Sequence, residues 1–494
     1  TVTTGRASMG LRQTRRRRSS QQPGPCGDGT DHISRLPDDL LLILSGLGCT
    51  ASAARTSGLS RRWRGLWTHL GDISLRDVPF QSLAAVLSLV ARPPPPIISL
   101  LEIRVPSQNR RVPREHWPAR ADVASLMRAA ARLAPERLVL ALPPGGSNPN
   151  PADVHLPCFR RATSIVLESL PFVLRAPAAA GEFAALRKLH LLDCIVMDED
   201  LDALLSLCPC LRVLLLRHRT TTWTGDPRWR TVHSATLEEL TVDSERAWAS
   251  RVDIAAPAVK QLGVSFWAYD EMTISISAPM VEKFWWHCRY VKDTIGFGLW
   301  SLHMLRLETA QGQLPSLQIY AGNSNYAFSD EEANLAHEIE KHMVIEFSDL
   351  ELHLSAMGHV FGALVLHILG MNRVRNAIRR LMVFRETFRA KEACPANCPC
   401  EPTDWRTQII SLTALEEVEI DGFEGDVHEY DLLELIFNSS PMLKRMTVKF
   451  PRIVSSSDDA CTKIHDIFAA HSSVDCLVYL SSGLLHRSPN CAPT

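Results

Sequence analysis

Residues 186–216 read LRKLHLLDCIVMDEDLDALLSLCPCLRVLLL, and this stretch decides the fold. Leu186, Leu189 and Leu191 take the form LxxLxL, and Leu211, Leu214 and Leu216 repeat it 25 residues later. Alternate side chains within each triplet fall on one face, the period of a strand. Between the triplets, Leu201, Leu204 and Leu205 share one face of a helix that Cys208-Pro209 ends. Cys194 stands at the turn between strand and helix. One such unit cannot bury its own leucines, so neighbouring units must stack.

The pattern extends in both directions. Taking the central residue of each triplet gives positions 138, 165, 189, 214, 240, 262, 284 and 305, at steps of 27, 24, 25, 26, 22, 22 and 21 residues. Leucine-rich repeats run at about 20–29 residues per unit. The spacing therefore predicts an α/β fold over 131–328, a curved solenoid of parallel strands with outer helices. A helical-hairpin solenoid is the alternative, and the short branched strands and proline breaks argue against it. Ser329 with Glu332 forms a capping box before the helical stretch DEEANLAHEIEKHM, and HVFGALVLHIL reads as a buried helix. Strand triplets return at Ile378, Leu381 and Val383, at Leu415, Val418 and Ile420, at Leu443, Met446 and Val448, and at Val474, Leu477 and Tyr479.

Composition narrows the function classes. In 494 residues, 53 Lys plus Arg balance 54 Asp plus Glu, so no global field points to nucleic acid or to a membrane surface. No run of about 18 apolar residues marks a membrane span. The 13 cysteines are scattered, several of them inside apolar runs, which suits buried thiols in a reducing nucleus or cytoplasm. Residues 1–30, with Arg15–Arg18 in one block, read as a disordered basic tail. Pro93–Pro96 form a stiff run inside a connecting region, 73–130. Residues 220–231 insert Trp223, Arg228 and Trp229 between two strands, residue types that concentrate binding energy at interfaces.

Ahead of the repeats lies a compact apolar cassette, DHISRLPDDLLLILSGLGCTASAARTSGLSRRWRGLWTHL at 31–70. Leu36, Leu40, Leu41, Ile43, Leu44 and Leu47 recur at helical spacing, with Pro37 in the first turn. A second short helix carries Ala53, Ala54 and Leu59. Ser60 caps a third that bears Trp63, Leu66, Trp67 and Leu70. Three short helices make too small a core to stand alone, which argues for an interaction module.

LPDDLLLIL, AARTS and SRRWRGLW match the F-box in kind, order and spacing, with Gly48 where many relatives carry proline. CPANCPCEPTDW, ALEEVEIDGFEGDVHEYDLLELIF and SSPMLKRMTVKF resemble the FBD region. The whole resembles the plant family that joins an F-box, leucine-rich repeats and an FBD. That resemblance implies an F-box at 31–72, an irregular helical region at 329–393, FBD-like repeats at 394–482 and a flexible tail at 483–494. It further implies a non-catalytic substrate receptor of a Skp–cullin–F-box ubiquitin ligase. Leu36, Pro37, Leu40, Leu41, Leu44, Trp63 and Trp67 would meet the Skp-type adaptor, and through it a cullin. The repeat array, with Trp223, Arg228 and Trp229, would hold a target protein. A leucine-rich scaffold or small-ligand sensor acting outside any ligase is the alternative.

Two chemical patterns compete with that reading. His337-Glu338-Ile339-Glu340-Lys341-His342 is near the zinc-protease form H-E-x-x-H, but its five-residue step sets the histidines about 140° apart on a helix. Cys394, Cys398 and Cys400 form C-x3-C-x-C, with no fourth ligand at finger-like spacing unless His428 or Cys461 folds back. A proline-rich turn with free thiols, and no cofactor or metal, is the expectation there.

Overall fold

The computed structural model describes residues 36–37, 39–41, 50–59, 61, 63–76, 78–92, 97–105, 119–143, 152–170, 172–177, 183–218, 228–309, 315–328, 335–386, 398, 400, 405–451, 459–480 and 483–487. The chain divides into two compact units, Thr1–Trp67 and Thr68–Thr494.

In the first unit, Pro37 opens a helical turn. Its carbonyl accepts the N–H groups of Leu40 and Leu41, both at 3.1 Å. The helix Thr50–Arg55 follows and tightens into a 3-10 turn, Thr56–Gly58. Leu59, expected on a helical face, is 68% exposed. The expected third helix is not continuous. Gly65 sits at φ +88, a left-handed conformation that interrupts helical hydrogen bonding, and only a 3-10 turn, Leu66–His69, follows. Ser60 lies outside the described residues.

The second unit is mixed α/β, built on a large sheet of mainly parallel strands and a small parallel one made of Asp153–His155, Val173–Arg175 and Ile195–Val196. Its register stacks the expected triplet centres directly on one another. Leu138 pairs with Ile165, Ile165 with Leu189, Leu189 with Leu214, Leu214 with Leu240, Leu240 with Leu262 and Leu262 with Phe284. The stack also reaches further back than the triplets suggested. Asp72–Leu75 pairs in parallel with Leu100–Arg104, which pairs with Arg137–Ala141. The segment 73–130, read as a connection, therefore contributes two strands to the sheet. Ile73, Leu101 and Ile103 are its buried alternating residues, and the helices Phe80–Val90 and Arg120–Arg132 are its return legs.

The return legs change character along the chain. After Lys188–Leu192 the chain returns through the helix Asp198–Ser206, whose buried Leu201, Leu204 and Leu205 match the helical spacing. The 22-residue units have no helix. Glu239–Ala255 and Gln261–Ser277 are long strands, paired in parallel although only five residues separate them. A straight strand of that length spans about 56 Å at roughly 3.3 Å per residue. Five residues reach at most about 18 Å. The first strand must therefore double back at its register breaks, between Asp243 and Trp248 and between Ala249 and Arg251, and the second at the facing ones, between Ser265 and Trp267 and between Ala268 and Thr273. The outer helices expected for these units are thus replaced by extended return legs.

The parallel run is interrupted after Arg289. Gly296–Glu308, carrying the triplet Leu302, Leu305 and Leu307, is antiparallel to both Lys283–Arg289 and Ser316–Phe328. Arg289 faces Met304 across the connection 290–303, which turns the chain back on itself. Parallel pairing then resumes through Asp349–Ser355, Arg380–Arg385, Glu417–Asp421, Arg445–Lys449 and Asp475–Leu480. The expected buried helix is present as Gly362–Gly370. Residues from 483, read as a flexible tail, begin with a further strand. Gly483–Arg487 pairs antiparallel with Asp475–Leu480, and Gly483 at φ +123 supplies the turn geometry.

Candidate functional site

Strand alternation gives the sheet two chemically different faces. The centres named above and the residues two positions after them form the buried apolar face. The intervening residues carry charge and aromatic rings and shield one another by half. At the N-terminal end of this second face Glu102 accepts Ser74 Oγ at 2.6 Å and pairs with Arg76 at 3.0 Å and Arg104 at 2.7 Å. Burial works to raise the Glu102 carboxyl, but those three donors hold it below the usual range. Arg104 also reaches Glu168 at 3.2 Å, spanning the strand Arg137–Ala141 that lies between them. Further along, burial with Lys188 and Arg217 pushes His190 down to about 4, so a neutral imidazole sits in a basic patch.

The middle of this face is a continuous aromatic stripe. Trp285 tilts against His287 with ring centres 5.3 Å apart. The Arg306 guanidinium lies 5.3 Å over the Tyr320 ring, Tyr320 stacks on His353 at 4.2 Å, and His353 stacks on Phe384 at 4.8 Å. Gly263, the register partner of Trp285, makes room for it: a Cβ there would stand 2.0 Å from the indole ring. Beyond the stripe, Arg380, Glu417, Arg445 and Asp475 occupy one row of register partners with alternating charge. With Lys449 and Tyr479 they line a hollow of about 710 Å³. Large planar groups flanked by charge suit recognition of a protein surface.

The buried face carries its own polar network, at the helix Leu335–His342. The Trp286 indole donates to His342 Nδ1 at 2.8 Å, so the neutral ring carries its proton on Nε2, 2.7 Å from the Tyr290 hydroxyl. Tyr290 in turn donates to Glu338 at 3.1 Å. Burial acts to raise Glu338, but hydrogen bonds from His342 and Lys341 outweigh it and hold the carboxyl at about 2. Burial pushes His342 down. His337 is exposed while His342 is wholly buried, so the two histidines share no metal position and His342 spends both nitrogens on the fold. Ser329 and Glu332 lie outside the described residues.

A second buried knot organises DGFEGDVHE, 421–429. Arg385 pairs with Glu429 at 2.7 Å and with Glu424 at 2.9 Å, its side chain 3% exposed. The other Glu429 oxygen accepts the N–H groups of Glu424, Gly425 and Asp426 at 3.0, 2.7 and 2.9 Å. Burial pushes Glu429 up to about 7 against the pull of Arg385. Gly422 and Gly425 take left-handed φ of +86 and +85, and a Cβ on Gly422 would stand 2.5 Å from the Arg385 carbonyl oxygen. Asp426 and Glu429 also form a capping box on the helix Val427–Ser439.

The proposed adaptor residues fall into two groups. Leu41 and Trp63 are buried, at 0% and 3% exposure, and offer little surface to an adaptor. Pro37 is exposed, Leu40 is 45% exposed, and Leu36 and Trp67 are half-buried. Leu44 lies outside the described residues, as do Trp223 and Cys394. Arg228 and Trp229 open the strand Arg228–His233, which pairs with the return leg 249–255. Trp285, Tyr320, His353 and Phe384 were not singled out from sequence. Their signal was there, as aromatic residues at strand positions that face away from the core.

Comparison with known proteins finds likeness in two stretches of the chain. Residues 123–232 match the family model described as "FBD-associated F-box protein At5g56370, LRR repeats", and residues 412–448 match the model "FBD". The second match encloses Glu424, Asp426 and Glu429 of that knot but not Arg385. Among relatives, "F-box/LRR-repeat protein At3g03360" of Arabidopsis thaliana is 28% identical over 203 residues, 39% of this chain and 40% of that protein. "F-box/LRR-repeat protein 13" of the same plant is 45% identical over 64 residues, 13% of this chain and 14% of that protein. The matches thus span at most 40% of the length of these relatives. The chain is similar, in its repeats and its C-terminal segment, to plant F-box, leucine-rich-repeat and FBD proteins.

Proposed function

We propose, from the likeness to plant F-box/LRR-repeat proteins with an FBD segment, that this chain is a substrate-recognition subunit of a Skp–cullin–F-box ubiquitin ligase in the nucleus or cytoplasm. In this reading residues 31–72 are a helical F-box that holds the Skp-type adaptor. The strands from 72 to 480 form a curved solenoid whose aromatic face captures a target protein. Such a subunit makes and breaks no bonds. It raises the effective concentration of a target beside a ubiquitin-loaded enzyme. The carrying observation is the pairing of an exposed apolar turn, Pro37 and Leu40, with the half-buried aromatic stripe from Trp285 to Phe384. Each offers protein-binding chemistry.

Affinity purification of the full chain tests the reading. The wild-type protein is expected to bring down a Skp-type adaptor and a cullin. The triple substitution Leu36→Ala, Pro37→Ala, Leu40→Ala is expected to lose both while keeping its fold. Leu41→Ala serves as the contrast, costing about 2–5 kcal/mol of stability because that side chain is fully buried. Adaptor binding that survives the triple substitution in a folded protein sinks the assignment. A wild-type protein that captures neither adaptor nor cullin favours a scaffold or ligand sensor instead.

A further inference from the structure

His359 and the two cysteines Cys398 and Cys400 lie 39 and 41 residues apart in sequence, yet their donor atoms all fall within 4.8 Å of one another. Cys398 Sγ is 3.3 Å from His359 Nδ1, and Cys400 is 1% exposed. In a tetrahedral zinc site, bonds of about 2.3 Å to sulfur and 2.0–2.1 Å to nitrogen place S and N about 3.6 Å apart, and two sulfurs about 3.8 Å apart. The observed spacing is within a small side-chain adjustment of that geometry. Two thiolates and an imidazole are also the borderline-soft donor set that suits zinc rather than magnesium or calcium.

Both sides of the cluster are held by the fold before any ion binds. His359 sits in a tight turn after the strand Asp349–Ser355, where Met357 and Gly358 adopt left-handed φ of +45 and +91. Its N–H is bonded to Ala356 O at 2.8 Å. On the cysteine side, Trp405, five residues after Cys400 and 1% exposed, packs on Gly362. A Cβ at Gly362 would stand 2.4 Å from the indole. Such anchoring reduces the ordering entropy that metal binding must overcome.

We propose that His359, Cys398 and Cys400 bind a zinc ion that staples the cysteine segment to the turn before the helix Gly362–Gly370. This site is independent of the ligase reading. Three protein donors leave the fourth tetrahedral position to water or to another ligand.

Metal analysis of the purified full chain tests the site directly. One zinc per chain is expected after exhaustive dialysis, and chelation should lower the thermal midpoint. Cobalt added to the chelated protein is expected to give thiolate charge-transfer absorption and the visible bands of a tetrahedral ion. Those signals should be lost in Cys398→Ser and strongly reduced in His359→Gln, and unchanged in Cys210→Ser, whose thiol is exposed elsewhere. The wild-type cobalt spectrum decides the matter even if a variant fails to fold. A wild-type chain without zinc and without cobalt charge transfer overturns the proposal and leaves a thiol–imidazole hydrogen bond only. Cobalt bands that persist undiminished in Cys398→Ser and His359→Gln overturn it equally.

Discussion

At the scale of single residues, the stripe on the polar face depends on one missing side chain. Gly263 lies beneath Trp285, and a methyl group there would overlap the indole at 2.0 Å. Gly263→Ala is therefore expected to displace Trp285, lowering stability by about 1–3 kcal/mol and shifting tryptophan emission. Unchanged emission and denaturation midpoint would show that the indole does not occupy that place in solution. The need for glycine was not legible in the sequence, because the clash is with a residue in the next strand. Trp285 was legible as an aromatic residue, but its neighbours Arg306, Tyr320 and His353 are gathered only by register. The same holds for the metal donors. Spacing displayed the cysteines, while His359 stands too far away in sequence to belong to any finger-like pattern.

At the scale of elements, the helix Leu335–His342 is held by titratable groups, and their sign predicts a pH response. Burial keeps folded His342 from taking a proton, while in the unfolded chain it protonates near its ordinary value of about 6.5. Its contribution is therefore complete above that pH and falls as acid is added. Glu338, held at about 2, adds a second loss between its unfolded value and that pH. Stability should drop from about pH 7.5 to about pH 5.5, with His342 responsible for about 1 kcal/mol of the change. Denaturant titrations of wild type and His342→Gln at the two pH values check this. An identical drop in both would place the response elsewhere. The near-miss to H-E-x-x-H was readable as a failed metal motif from its step alone. Its actual role was not, because Trp286 and Tyr290 reach it from about fifty residues away.

At the scale of the whole molecule, each strand is stabilised chiefly by its neighbours, so the ends of the sheet matter more than their length suggests. Removing residues 445–494 would leave Glu417–Asp421 as an open edge with unpaired backbone groups. The truncated chain is expected to self-associate or precipitate, measured by size-exclusion chromatography against the full chain. A monodisperse, folded truncation would show that the edge is protected by other means. The sequence by itself determined the buried face of the sheet, residue by residue, because period-two alternation is a local property of the chain. The stack of Leu138, Ile165, Leu189, Leu214, Leu240, Leu262 and Phe284 follows directly from it. Alternation has no direction, however, so only the tertiary structure decided that Gly296–Glu308 runs antiparallel and that the 22-residue units return as strands. It alone also decided which polar residues meet across the register, and so where the aromatic stripe, the Glu429 knot and the His359 cluster form. Those contacts arise from chain segments brought together by packing, and no local pattern carries them.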